Sequence, residues 1–97
     1  MKERAIEHKL VTETVRRRGV ALKFVSPGCM GVPDRIVMLP NGKIGFVELK
    51  APGKKLRPIQ ARRIQQMRKM GFKVYVIDGM EQIGSVLDEI GECAKWN

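Results

Sequence analysis

The chain has 97 residues, a net charge of +9 and only 5 % aromatic residues, which describes one domain with a small aliphatic core that buries roughly 60–65 % of its surface. Two cysteines, Cys29 and Cys93, are too few for a disulfide scaffold, and a single histidine, His8, leaves them without the partners of a zinc site. No signal-peptide pattern or apolar run of membrane-spanning length is present, so reduced thiols and a cytoplasmic location are expected.

Residues 2 to 18 read as a helix, with Ile6, Leu10, Val11, Thr14 and Val15 as its apolar stripe, Glu7 on the stripe's edge and Gly19 as its stop. A strand at 21–25 follows, then a Gly/Pro loop, then a second strand at 34–39. Pro40-Asn41-Gly42 is a hairpin turn, because Asn-Gly tolerates the positive φ that a tight reversal needs. The strand at 43–50 returns antiparallel. Pro58 suits the first turn of a helix running to about Met70, with Ile64 and Met67 inward and Gly71 as its end. A strand at 72–77 comes next. Asp78 with Glu81 forms a capping-box pattern for a last helix carrying Ile83, Val86, Leu87 and Ile90. The order is αβββαβα. A right-handed crossover sets the last strand parallel to the strand at 43–50, so an α/β fold with a mixed sheet flanked by helices is expected.

Charge is unevenly spread. Between Lys50 and Lys73 there are nine Lys/Arg and no acid, whereas residues 74–97 hold five acids and one lysine. A basic sector of this kind suits a polyanion, most commonly nucleic acid.

Within the strand at 43–50, Ile44, Phe46, Glu48 and Lys50 share one face, and Val47 and Leu49 the other. Both faces begin apolar, so both are expected to be covered, and a Glu there is costly without a positive partner. Continuing the hairpin register back from the turn puts Asp34 opposite Glu48. Two adjacent carboxylates call for a cation, and a hard divalent ion on oxygen ligands suits them. The Leu49 backbone carbonyl and Glu7 are the further candidate ligands. Lys50 is placed to orient a water and offset developing charge, and Gln60 either to bond the start of its own helix or to reach the site. An Asp, a Glu and a Lys beside a basic sector are the parts that phosphodiester hydrolysis uses.

Gly31-Val32-Pro33-Asp34, Glu48-Leu49-Lys50 and Gln60, with Glu7 on the first helix, together resemble the virus-type replication-repair nuclease (VRR-NUC) domain of the PD-(D/E)xK superfamily. The resemblance runs from Glu7 to the strand at 72–77. It implies one restriction-endonuclease-like domain over residues 1–97 and a Mg²⁺- or Mn²⁺-dependent DNA endonuclease. The implied metal ligands are Glu7, Asp34, Glu48 and the Leu49 carbonyl. The implied catalytic set is Asp34, Glu48 and Lys50, with Gln60 supporting. It further implies a homodimer acting on branched DNA in the manner of Holliday-junction resolvases, in repair or recombination. Arg35, Lys54, Lys55, Arg57, Arg62 and Arg63 are the candidate DNA contacts, and phosphate contacts position without reading bases. The competing readings are a non-catalytic basic nucleic-acid-binding protein and a restriction- or nicking-type nuclease on the same fold.

Overall fold

A computed structural model describes residues 2–92 of the chain; Cys93 lies outside the described residues. Helix α1 (Glu3–Arg16) is followed by strands β1 (Val20–Lys23), β2 (Arg35–Leu39) and β3 (Lys43–Leu49). Helix α2 (Pro58–Lys69), strand β4 (Val74–Ile77), a 3₁₀ turn (Met80–Gln82) and helix α3 (Ile83–Ile90) complete the order. The expected αβββαβα sequence of elements is present, with most boundaries within two residues.

The four strands lie in the order β1-β2-β3-β4. β1, β2 and β3 form an antiparallel meander, and β4 joins β3 in parallel. The hairpin turn carries positive φ at Asn41 (69°) and Gly42 (72°) and sets Leu39 opposite Lys43. That register runs down the hairpin to Arg35 opposite Val47, and one step further is Asp34 opposite Glu48.

Strand alternation divides the apolar side chains between two cores. On one face Val37, Leu39, Val47, Leu49 and Ile77 pack against Ile6 and Leu10 of α1 and the apolar side of α3. α3 therefore covers the sheet. On the other face α2 brings Ile64 and Met67 onto Val74, with Phe24, Phe46, Leu56 and Val76 around them. This second layer is incomplete. Ile44, expected to be covered, is 41 % exposed, and Val20, Leu22, Met38 and Phe72 beside it are also open. α2 covers the β3–β4 side of its face and leaves the first half of the meander bare.

Helix ends differ from expectation in an instructive way. α1 stops in a Schellman arrangement: the Gly19 N–H donates to the Thr14 carbonyl at 2.9 Å and the Arg18 N–H to Val15 at 2.9 Å. The residue with left-handed backbone is Arg18, at φ 65°, not Gly19. Gly19 is needed for space, since a Cβ there would run into the Met38 carbonyl. Val15, placed in the stripe by spacing, is exposed because the helix is already ending. α2 closes with the same pattern, Phe72 N–H to Met67 at 3.2 Å and Gly71 N–H to Arg68 at 3.0 Å. Phe72 is thus occupied in the helix stop, and β4 starts at Val74 rather than at 72. After β4, Asp78 exchanges hydrogen bonds with Gln82 and not with Glu81, at 2.9 Å in each direction. A 3₁₀ turn inserted before α3 shifts the reciprocal partner by one residue.

Candidate active site

Three rungs cross the α2 face of the meander. Val20, Met38 and Ile44 form the first, and Leu22, Ile36 and Phe46 the second. The third is Asp34 beside Glu48, at the end of β3. Two apolar rungs therefore lead to an acidic one, and α2 begins directly over it.

Glu48 is only 2 % exposed. Its carboxylate accepts a hydrogen bond from the Gln60 side-chain amide at 2.9 Å, and the Lys50 ammonium lies 3.4 Å from the same oxygen. Burial is the main reason that its pKa is pushed up to about 7, and the Asp34 carboxylate adds to that push; Lys50 opposes them without prevailing. An acid in this state is short of positive charge.

Asp34 sits where β2 begins, and its side chain accepts a hydrogen bond from the Leu49 backbone N–H at 2.8 Å. Its carboxyl thereby takes a place that a strand carbonyl would fill in a continued ladder. Gln60 performs both of the tasks that its position suggested. Its carbonyl oxygen accepts from the Arg57 N–H at 2.9 Å, closing the start of α2, while its amide holds Glu48. Lys50 is anchored by its own N–H on the Ile77 carbonyl at 2.9 Å, and its side chain is 14 % exposed.

Asp34, Glu48, Leu49, Lys50 and Gln60 thus come together. Glu7 does not join them in this arrangement. Its carboxylate accepts from Arg35 Nε at 3.0 Å, with a second guanidinium nitrogen at 3.0 Å. The same guanidinium donates to the Ala21 carbonyl at 2.9 Å. Arg35, on the α1 face of β2 with Val37 and Leu39, is committed to this internal pair and is not displayed as a surface cation. Among the described residues, no group of three or more His, Cys, Asp or Glu is gathered closely enough to hold a metal ion. The hard oxygen donors at the site are the two carboxylates of Asp34 and Glu48 and the Leu49 carbonyl. Such a set suits Mg²⁺, which is commonly bound by one or two carboxylates plus water and phosphate oxygens.

Lys54, Lys55 and Arg57 follow the site in an exposed loop, and Arg62 is exposed on α2. Arg63 is partly held by a hydrogen bond to the Met30 carbonyl at 3.2 Å. The sequence reading missed the hydrogen bond from Leu49 to Asp34 and the Glu7–Arg35 pair. The first was reachable from the hairpin register; the second depends on how α1 is rotated over the sheet.

Comparison with known proteins agrees with this picture. The VRR-NUC domain pattern matches residues 2–81. A protein named "Putative nuclease p44", from Acyrthosiphon pisum secondary endosymbiont phage 1, is 48 % identical over 90 residues, covering 93 % of this chain and 96 % of its own. A solved structure described as a VRR_NUC domain superposes with a TM-score of 0.83 at 30 % identity, covering 91 % of this chain and 96 % of its own.

Proposed function

Since the chain belongs to the VRR-NUC family, we propose that it is a Mg²⁺- or Mn²⁺-dependent endonuclease that hydrolyses phosphodiester bonds in branched DNA. The observation that carries this reading is the under-compensated pair of acids: Glu48, 2 % exposed and with its pKa raised to about 7, beside Asp34 in a protein of net charge +9. A protein that only bound DNA would gain nothing from holding two carboxyls together beside its basic sector.

Asp34, Glu48 and the Leu49 carbonyl would hold the ion, whose chemistry when bound is activation of water at neutral pH and polarisation of a phosphoryl oxygen. The remaining tasks fall to the chain's own groups. Gln60 fixes the Glu48 carboxylate from the start of α2, so that the acid cannot swing away from Asp34. Lys50, beside Glu48, orients a water with its ammonium and offsets negative charge as the phosphorus becomes five-coordinate. Lys54, Lys55, Arg57 and Arg62 contact phosphates next to the scissile bond. Such contacts favour recognition of DNA shape over base sequence.

A second copy of the chain belongs to this reading. The two apolar rungs contain no charged residue, although the protein carries nineteen Lys/Arg in all. Two copies of net charge +9 repel, and a neutral contact face keeps their like charges apart; Val20, Leu22, Met38 and Ile44 give such a face and are exposed. A homodimer joined there carries two acidic rungs, suited to paired cuts across a four-way junction.

The test is cleavage of end-labelled four-way, flap, splayed and linear duplex DNA of shared sequence. Cutting should need Mn²⁺ or Mg²⁺, favour the branched substrates, and fall about 100-fold or more in Lys50→Ala. Equal cutting in EDTA, or by Lys50→Ala, would refute the reading. Equal cutting of junction and duplex would refute its branch preference alone.

A further inference from the structure

We propose that Pro33 is a positioning residue for the cation site: because it lacks an N–H, it leaves the Leu49 carbonyl out of the sheet and open to a divalent ion. This inference rests on the metal-dependent reading above.

The direction of the β3 backbone groups carries it. The Phe46 N–H donates to Lys73 at 2.8 Å and the Lys50 N–H to Ile77 at 2.9 Å, so even-numbered residues address β4. Odd-numbered residues, Leu49 among them, address β2. In a strand the N–H and C=O of one residue point the same way, so the Leu49 carbonyl also faces β2. The register ends at Arg35 opposite Val47, and two residues further it sets Pro33 opposite Leu49. In a continued ladder, residue 33 would donate its N–H to the Leu49 carbonyl and accept from the Leu49 N–H.

Neither bond is made that way. Proline has no N–H to give, and the Leu49 N–H goes to the Asp34 carboxylate at 2.8 Å. The ladder opens at this pair. Asp34 takes up the donor, and the carbonyl is left facing the gap between the strand ends. Two nearby side-chain donors face Glu48: the Gln60 amide donates to it at 2.9 Å, and the Lys50 ammonium lies by the same carboxylate at 3.4 Å. A buried carbonyl without a donor is costly, and a cation is a partner that Pro33 cannot compete with. Pro33 is itself buried, so an exposed turn does not account for it.

The experiment is Mg²⁺ titration of the whole chain without DNA, followed by NMR of ¹³C labels in the Leu49 carbonyl and in the Asp34 and Glu48 carboxyls. It compares the parent chain, Pro33→Ala, and a semisynthetic Pro33→N-methylalanine, which lacks both the ring and the N–H. In the parent chain all three labels should shift together. Pro33→Ala should bind Mg²⁺ about 10–100-fold more weakly, with its new amide protected from hydrogen exchange. Pro33→N-methylalanine should bind like the parent. Carboxyl shifts without a Leu49 carbonyl shift in the parent would overturn the inference whether or not the variants fold. So would Pro33→Ala binding within about twofold of the parent, or N-methylalanine binding as weakly as alanine. If none of the three labels moved, the metal-dependent reading itself would fall.

Discussion

Glu48 couples the stability of the metal-free protein to pH, because burial and the Asp34 carboxylate raise its pKa. A raised folded-state pKa means that the folded chain keeps a proton which the unfolded chain has released. The stabilisation is complete below about pH 4.5 and is lost as pH rises through about 7. The span is worth roughly 3 kcal/mol. Melting temperature measured in EDTA should therefore fall between pH 5 and pH 8 by this contribution, and Glu48→Gln should flatten that dependence while keeping an acceptor for the Gln60 amide. A melting temperature that stayed level in the parent chain would show that Glu48 is ionised at little cost. Gln60 has two bonds to lose, one to the Arg57 N–H and one to Glu48. Gln60→Ala should cost about 1–3 kcal/mol in urea unfolding and also slow cleavage, since the carboxylate loses its guide. At this scale the Asp34–Glu48 pairing was legible, because a tight turn fixes an antiparallel register. Glu7 and Arg35 were not. Helical spacing gives the inward side of α1 without saying which sheet residue an edge side chain meets, and Arg35 lies within its reach.

Among the elements, the end of α1 holds the clearest local conflict. Arg18 takes a left-handed conformation that costs an L residue roughly 1–2 kcal/mol, while the glycine next to it is spent on clearance from the Met38 carbonyl. Arg18→Gly should raise stability by about 1 kcal/mol, and Gly19→Ala should lower it by about 1–3 kcal/mol through overpacking. Chemical denaturation of the two variants checks the assignment: Arg18→Gly lowering stability would contradict a left-handed stop at residue 18, and Gly19→Ala leaving stability unchanged would contradict the clearance role of Gly19. The helices and strands were readable from their periods, and the β-α-β crossover from handedness. The boundaries that moved did so where tertiary bonds claimed a residue: Phe72 for the stop of α2, Gln82 for the exchange with Asp78.

Taken whole, the molecule separates its surfaces by charge. The basic loop and α2 border the acidic rung, and among the described residues no helix is long and apolar enough to cross a membrane. The exposed part of the apolar rungs, Val20, Leu22, Met38 and Ile44, lies on the same face as the site, so a partner copy seated there would share its side of the sheet. Charging the middle of that face tests the dimer. Ile44→Lys, at a position already 41 % exposed, should leave the fold intact and yield a monomer in analytical ultracentrifugation, with cleavage of four-way DNA reduced more than cleavage of a nicked or flap substrate. A parent chain that sediments as a monomer at micromolar concentration, about 1 μM or above, would remove the dimer from the account. That this face stays open was not legible in the strand pattern, because alternation marks a face as apolar without saying whether a helix of the same chain covers it.

The most direct measurement is anomalous diffraction from crystals of the parent chain soaked in Mn²⁺. The predicted result is a manganese peak touching the carboxylates of Asp34 and Glu48 and the carbonyl of Leu49, absent from crystals of Glu48→Gln. Manganese bound elsewhere, with those carboxylates turned to separate surroundings and nothing between them, would contradict the account.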